Sequence, residues 1–152
     1  MKLSKVFRFE ASHILSRHPG KCSRLHGHSW VLRVSVEGSV DPTTGFVMDF
    51  GELSKVVNER VIDVLDHRHL GAWTWVQEGV GFSVEGFYLL WSVSGLPRTF
   101  YPTCENLLIW IGQQLIRAFG VGYYWSELEL EETPTSRATL TRKEFDAAAN
   151  AK

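Results

Sequence analysis

The sequence is short of cysteine, of net charge and of long hydrophobic runs, and each shortage excludes a class of protein. Two cysteines in 152 residues are too few for a disulfide framework and favour free thiols in a reducing compartment. A formal net charge of −1 gives no overall basic field to attract nucleic acid or an anionic membrane. The longest strongly apolar stretches, such as residues 107–111, are far too short to span a bilayer. The N-terminal stretch has no secretory hydrophobic region, so we expect a cytoplasmic protein that binds neither nucleic acid nor membrane.

The remaining composition is that of an ordinary globular domain. Hydrophobic residues make up 44% of the chain, which is enough to bury a core in one domain. We predict that this domain spans residues 1–145 and that the Ala-rich tail, 146–152, frays. Residues 71–101 form an insertion that holds eight of the 19 aromatic residues, a content that argues against disorder. An extra hairpin packed on the helices and a lid or subunit contact account for the insertion equally well.

The pattern of polar and apolar residues predicts two strands, two helices and two further strands. Alternation predicts strands over residues 6–13 and 26–37, and "VDPTTG" predicts a turn. Apolar residues at helical spacing predict a first helix that is capped by Asp49 and extends to residue 65. A second helix is predicted to be capped by Thr103 and to end at Gly120. The last strands are predicted at 125–133 and about 137–142. This segregation indicates an α+β fold, with an antiparallel sheet and two helices packed on one face.

Three histidines share one face of the first two predicted strands. His13 is in phase with the apolar residues of the first strand, and His26 and His28 are in phase with those of the second. If these strands pair as a hairpin, the three imidazoles converge at one end of an apolar surface. Three histidines with an open fourth position are typical of a catalytic zinc site. The alternative is three unrelated histidines, but their common phase favours a metal.

Cys22 lies in a basic loop between the two strands. Lys21 and Arg24 flank it, and cationic neighbours favour the reactive thiolate form. Cys22 is therefore a candidate reactive thiol, although it could also close the zinc site as a fourth ligand or be an incidental residue of a solvated loop. Cys104 lacks cationic neighbours, and we interpret it as structural.

The segment "DHRHL" brings an acid and a base together after the first predicted helix. Asp66 is followed directly by His67, and such a pair is suited to relaying protons. The pair is weak evidence by itself, because neighbouring Asp and His residues are common on protein surfaces.

The predicted strand "SELELEET" ends with a carboxylate on its apolar face. Glu132 is in phase with Leu128 and Leu130, whereas Glu131 faces the other way, toward solvent. A carboxylate on an apolar face is costly without a partner, and the amino groups of a ligand would provide one. The alternative is that strand pairing stops before Glu132 and leaves it exposed.

Six segments together resemble one enzyme family. "FEASH", "CSRLHGHSW", "VDPTTGFVMDF", "LDHRHL", "PTCEN" and "LEET" occur in the order seen in the family of 6-pyruvoyltetrahydropterin synthases and 6-carboxytetrahydropterin synthases. The resemblance covers nearly the whole chain apart from the insertion and the tail. The three-residue gap between Cys22 and His26 is more similar to the 6-carboxytetrahydropterin enzymes than to the pyruvoyl enzymes.

The resemblance implies a fold, an assembly and a reaction. The fold is the tunnelling fold, in which subunits join their sheets into a barrel with pterin sites between subunits, here as a homohexamer. The substrate is 7,8-dihydroneopterin triphosphate, and the product is 6-carboxy-5,6,7,8-tetrahydropterin, with acetaldehyde and triphosphate released. This step lies on the route to 7-deazapurines, including queuosine.

The resemblance also implies roles for individual residues. It places Zn²⁺ on the three histidines, and it makes Cys22 the base that removes a proton. Asp66 and His67 become the proton relay of that base. Glu132 counts with the catalytic residues because it anchors the pterin ring. The candidate substrate-binding residues are Glu132, Lys21, Arg24 and Thr103, and no motif decides whether Lys21, Arg24 or Arg17 meets the triphosphate.

Three other functions compete with this one. A related enzyme would use the same residues to make 6-pyruvoyltetrahydropterin or to cleave the side chain differently. A cupin-like metal site needs a glutamate shortly after the second histidine, and residues 31–34 are Val, Leu, Arg and Val, so it fits poorly. A zinc-stabilised binding module would use Cys22 as its fourth ligand.

Overall fold

The computed structural model describes residues 1–70, 101–119 and 124–150, and it contains one five-stranded sheet. The strand order is β3-β1-β2-β4-β5, and β1 pairs with β3 in parallel while the other neighbouring strands are antiparallel. The strands are β1 Lys2–His13, β2 His26–Glu37, β3 Arg68–Leu70, β4 Trp125–Thr133 and β5 Ser136–Thr141. The insertion up to residue 100 and Gly120, the predicted end of the second helix, lie outside the described residues.

The first two strands pair in the register that brings the histidines together. Phe9 lies opposite Trp30, and His13 lies opposite His26. Alternation along both strands turns one face inward, where the side chains are buried, and leaves the other face polar. The hairpin that the histidine pattern requires is therefore present.

The helices begin where the capping residues predict. Asp49 accepts hydrogen bonds from the N–H groups of Gly51 and Glu52 and starts α1 (Phe50–Val57). This helix continues through a π-helical segment, Asn58–Ile62, into the short α2 (Asp63–Leu65). Thr103 accepts from the N–H of Asn106 and starts α3 (Cys104–Ala118).

The helices cover one face of the sheet and enclose the core between them. Trp30 and Leu32 from β2 pack there with Leu53 from α1, Ile111 from α3 and Leu130 from β4, and each of these five side chains is fully buried. Burial of such apolar area is the main stabilising term of the fold. The predicted α+β class with helices on one face is confirmed, and the joining of sheets across subunits stays a prediction. None of the helices in the described ranges is long and apolar enough to cross a bilayer.

Two elements differ from the predicted order. The strand β3 was not predicted, and its parallel pairing with β1 makes the sheet mixed. A further helix, α4 (Arg142–Asn150), includes residues 146–150, where the sequence predicts fraying. Its start is capped because Thr141 N–H and Oγ1 both donate to Glu144 Oε2, and its Phe145 ring packs against Trp125. These contacts hold the first turn of α4, and the fraying of the tail stays a prediction.

Candidate active site

Three imidazoles meet where β1 ends and β2 begins. The potential ligand atoms of His13, His26 and His28 all lie within 4.8 Å of one another. His13 is fully buried, and the other two are half-buried. The register of the hairpin produces this cluster, since His26 and His28 point to the same side of β2 and face the end of β1.

Backbone carbonyls fix the orientation of two of these rings. His13 Nδ1–H donates to the carbonyl of Pro102 at 2.8 Å, and His26 Nδ1–H donates to the carbonyl of Arg24 at 2.7 Å. A carbonyl only accepts, so each Nε2 of a neutral ring carries a lone pair. The two Nε2 atoms are 3.0 Å apart. Two lone pairs at this distance repel each other unless a cation lies between them.

The environment of the third ring, His28, also indicates a bound cation. His28 Nε2 is buried and has no hydrogen-bond partner within the described part of the chain. A buried polar atom without a partner is costly, and a bound cation would satisfy it. The donor set, with Nδ1–H groups held by carbonyls and Nε2 lone pairs converging, is the pattern of histidine metal ligands. The residues therefore fit a metal ion.

Burial keeps His13 and His28 in the neutral form that binds metals. Burial lowers the pKa of His13 from 6.5 to about 4, although the Pro102 carbonyl opposes this effect. Burial also lowers the pKa of His28, against the influence of Glu132. At neutral pH both rings therefore have lone pairs for a cation.

Glu132 lies beside the histidine cluster, on the inward face where the alternation predicts it. One of its carboxylate oxygens is 3.5 Å from His13 Nε2 and 3.8 Å from His28 Nε2. Glu131 points to the other side, where its carboxylate lies 3.8 Å from a guanidinium nitrogen of Arg137. The side chain of Glu132 is 26% exposed, so a ligand can reach it.

The Asp66–His67 pair lies on the polar side of the sheet edge. Asp66 Oδ2 accepts from His67 Nδ1–H at 2.9 Å, and the side chain of His67 is 80% exposed. The main chain of Glu10 holds this turn, because its N–H donates to Asp66 Oδ1 and its carbonyl accepts from the N–H of His67. The hydrogen bond from Glu10 lowers the pKa of Asp66 and so keeps its carboxylate ionised. His67 and the candidate ligand His28 both line one cleft of about 430 Å³.

Cys22 is half-buried and lies on an otherwise exposed 3₁₀ turn, Lys21–Ser23, between the two strands. It does not belong to the group of side chains that converge as metal ligands, so the prediction of a closed site with Cys22 as fourth ligand gains no support. Cys104 differs, because burial raises its thiol pKa to about 12, and its Sγ–H donates to the carbonyl of Leu130. A thiol in this state is inert, in agreement with the structural role predicted for it.

The remaining predicted substrate-binding residues lie on the surface or at a helix end. Lys21 and Arg24 are exposed, and Thr103 Oγ1 serves as the cap of α3. Pro102 was not predicted to belong to the site, because a contribution from a backbone carbonyl leaves no residue-type signal. Tyr101 is the last aromatic residue of the insertion.

The fold and the site together define a class of protein. In the described ranges, a mixed sheet with helices on one face carries three histidines that could hold a metal, with a carboxylate beside them. This arrangement is that of a metal-binding enzyme centre in an α+β domain.

The family is given by the sequence match. Residues 2–143 match the family described as 6-pyruvoyl tetrahydropterin synthase, and the chain belongs to that family. A relative from Synechocystis sp. named 6-carboxy-5,6,7,8-tetrahydropterin synthase is 34% identical over 138 residues, which cover 88% of both chains. A Haemophilus influenzae relative with the same name is 38% identical over 69 residues, which cover 43% of this chain and about half, 49%, of that protein.

A solved structure agrees with the sequence match. The structure of Caenorhabditis elegans 6-pyruvoyl tetrahydropterin synthase aligns with a TM-score of 0.72 at 26% identity and covers 93% of this chain and 94% of that one. The predicted family is therefore confirmed, and with it the predicted enzyme class of a pterin-processing lyase.

Proposed function

We propose that this chain is a zinc-dependent lyase that converts 7,8-dihydroneopterin triphosphate and one molecule of water to 6-carboxy-5,6,7,8-tetrahydropterin and releases acetaldehyde and triphosphate. The observation that carries the proposal is the convergence of three imidazoles beside Glu132, which puts a metal site next to a carboxylate suited to a pterin. The spacing of Cys22 and His26, together with the names of the Synechocystis and Haemophilus relatives, favours the 6-carboxy product over the 6-pyruvoyl product.

The residues that would hold zinc are His13, His26 and His28. Three nitrogen ligands with one open position suit catalytic zinc. When bound, zinc supplies Lewis-acid stabilisation for negative charge that develops on the oxygens of the pterin side chain. The carbonyls of Pro102 and Arg24 keep the rings of His13 and His26 oriented for this ion.

Cys22 is the proposed base. Its sulfur takes a proton from a carbon of the pterin side chain. Asp66 and His67 then carry the proton away, since the Asp66 carboxylate fixes Nδ1–H of His67 and leaves Nε2 of the exposed ring to exchange protons.

Glu132 is the proposed anchor of the pterin ring. A carboxylate accepts two hydrogen bonds, one from the amino group and one from a ring N–H of a pterin, and this pairing fixes the orientation of the ring. The position of Glu132, within 4 Å of two proposed zinc ligands, would hold the pterin side chain toward the metal.

The proposal includes an assembly and a cellular setting. The strand β3 is an edge of the sheet, and Asp66 and His67 directly precede it. A neighbouring subunit that covers this edge would complete a site between subunits, in a homohexamer whose sheets form a barrel. The two free thiols fit a reducing compartment, and we place the protein in the cytoplasm on a route to 7-deazapurines such as queuosine.

Incubation of the purified protein with 7,8-dihydroneopterin triphosphate tests the reaction. We expect a pterin with the mass of 6-carboxy-5,6,7,8-tetrahydropterin, together with acetaldehyde and triphosphate. A product with the mass of 6-pyruvoyltetrahydropterin would replace the proposed reaction with the alternative of the same family. Unchanged substrate in the presence of bound zinc would remove both.

The variant Cys22→Ala separates an enzyme from a zinc-stabilised binding module. As the base, Cys22 is needed for turnover but not for metal binding, so the variant should lose turnover and keep its zinc. As a fourth zinc ligand, Cys22 would be needed for the metal and the fold, and the variant would lose both. Metal analysis and circular dichroism of the same sample distinguish these outcomes.

A further inference from the structure

Tyr101 joins the loop that carries Cys22 to the segment before α3. Its hydroxyl accepts a hydrogen bond from the backbone N–H of Arg17 at 2.9 Å. The guanidinium carbon of Arg17 also lies 5.6 Å from the centre of the Tyr101 ring, a cation–π distance. One side chain therefore holds both the main chain and the side chain of a loop residue that is itself exposed to solvent.

The loop transmits this attachment to Cys22 through its own hydrogen bonds. The N–H of Leu15 donates to the carbonyl of Cys22 at 2.9 Å, and the N–H of His18 donates to the carbonyl of Leu15 at 2.8 Å. Arg17 lies between these two bonded positions. Leu15 therefore connects the turn that holds Arg17 to the carbonyl of Cys22, and fixing Arg17 restricts Cys22 through these bonds.

The segment 101–103 is fixed in turn by α3 and by the metal site. Asn106 Nδ2–H donates to the carbonyl of Tyr101 at 2.7 Å, and the N–H of Thr103 donates to the same carbonyl at 2.8 Å. The carbonyl of Pro102 accepts from the Nδ1–H of His13. Neighbouring residues of one short segment thus hold a proposed zinc ligand and the loop of the proposed base.

We propose that Tyr101 is a positioning residue for Cys22, which it holds at a set distance from the histidine cluster by clamping Arg17. This inference rests on the proposed function in that it takes Cys22 as the base. The clamp itself is a property of the loop and is measurable without any substrate.

The test compares Tyr101→Phe with the matched control Tyr124→Phe. Both changes remove one hydroxyl from a tyrosine whose ring lies near a guanidinium, since Arg142 is 5.7 Å from the ring centre of Tyr124. Trypsin reports on the loop, because its basic residues are three cleavage sites whose fragments mass spectrometry identifies. Cleavage of a folded protein follows local opening. The cleavage sites are Arg17, Lys21 and Arg24.

We expect Tyr101→Phe to speed cleavage in this loop by about fivefold, the effect of losing one neutral hydrogen bond. We also expect kcat to fall by about the same factor and zinc content to stay unchanged, while KM changes less than kcat, because the other predicted substrate contacts, Glu132 and Thr103, lie outside this loop. Tyr124→Phe should match the wild type in all four measurements.

Equal cleavage rates for Tyr101→Phe and Tyr124→Phe would overturn the clamp. Faster cleavage with unchanged kcat would show that the clamp exists but does not position the base, which also overturns the proposal. A wild-type protein without activity on 7,8-dihydroneopterin triphosphate would instead remove the proposed function, and the cleavage comparison would still decide whether Tyr101 holds the loop.

Discussion

The chain carries histidines in two contrasting environments. The side chain of His13 is fully buried, and its Nδ1–H is held by the backbone carbonyl of Pro102. The side chain of His67 is 80% exposed, and its Nδ1–H is held by the carboxylate of Asp66. In both residues Nδ1 is occupied and Nε2 is left to act, but one Nε2 faces other imidazoles and the other faces water.

The difference shows how its surroundings decide which chemical role an imidazole can take. Burial lowers the pKa of His13 and removes its proton, which prepares a lone pair for a cation. Solvent reaches the imidazole of His67, and the ionised Asp66 holds its Nδ1–H. The buried cluster therefore suits a metal, and the exposed pair suits the movement of protons.

The sharpest test of this division removes a histidine from the buried cluster. His26→Ala and His28→Ala should each lose zinc, because two nitrogen ligands no longer hold the ion. We expect the loss of affinity to exceed the roughly 10–100-fold that outer partners of metal ligands contribute. Metal analysis after dialysis measures the occupancy. His18→Ala, which removes an exposed loop histidine, is the control and should keep its zinc. Full occupancy in both cluster variants would mean that the ligands are misassigned.

The position of the cluster could be predicted because it depends on local pattern. Strand alternation places His26 and His28 on one face, and pairing of β1 with β2 follows from the neighbouring apolar residues. The same alternation along β4 places Glu132 beside the cluster and Glu131 away from it. A period of two residues therefore predicts which side chains of a strand share a face.

Other parts of the structure depend on contacts that the alternation of polar and apolar residues does not predict. The carbonyl of Pro102 reaches His13 across 89 positions of sequence, and such a contact follows only from the packing of α3 on the sheet. The strand β3 has three residues, too few for a visible alternation, and it exists because β1 offers an edge. The helix α4 had a readable capping signal in Thr141 and Glu144, which the Ala-rich composition of the tail obscured.

The next test asks whether the carboxylate beside the cluster serves a ligand. Glu132→Gln keeps the size of the side chain but replaces one acceptor with a donor, so it should impair two hydrogen bonds to the pterin. Charge-assisted bonds contribute about 1.5–3 kcal/mol each, so pterin affinity should fall by roughly two to four decades. Calorimetry with a pterin measures this loss, and zinc content should not change.

Glu131→Gln is the matched control for that variant. Its carboxylate lies near Arg137 on the other face of the sheet, so the change should leave pterin affinity close to that of the wild type. Equal affinities for the two variants, or a greater loss in Glu131→Gln, would show that the register of β4 does not decide which glutamate contacts the ligand.

A pH titration of stability tests whether burial keeps His13 neutral. In the metal-free protein His13 has a pKa of about 4, against 6.5 in the unfolded chain. As the pH falls from 6.5 to 4, the unfolded chain takes up the proton first, so the free energy of unfolding decreases. This difference in pKa corresponds to about 3 kcal/mol, and His13 loses nothing further below pH 4. Urea unfolding of chelator-treated protein measures the decrease.

His13→Gln isolates the contribution of His13 from that of other titrating groups. Gln does not titrate, so the variant should lose about 3 kcal/mol less than the wild type over the same pH range. If the wild type and His13→Gln lose the same free energy between pH 6.5 and 4, burial does not control the protonation of His13.

The mildest test concerns the exposed pair. In Asp66→Asn the remaining Oδ1 still accepts from the N–H of Glu10, so the turn should keep its shape. The new amide N–H₂ then faces Nδ1–H of His67, two donors in conflict, and the ring must change its tautomer or its orientation. Zinc content and pterin affinity should stay at wild-type values. We expect kcat to fall by about tenfold to a hundredfold, at or below the low end of general acid–base contributions.

Asp63→Asn is the control for this last variant, because Asp63 is an exposed acid three residues earlier in the chain and contacts neither His67 nor the cluster. It should leave kcat unchanged. A second comparison introduces Asp66→Asn into the His67→Ala variant. If Asp66 acts through His67, Asp66→Asn should not lower kcat further once the imidazole has been removed. If Asp66→Asn lowers kcat equally with and without His67, the carboxylate acts independently of that imidazole. The proposed role of the exposed His67 in moving protons would then be wrong.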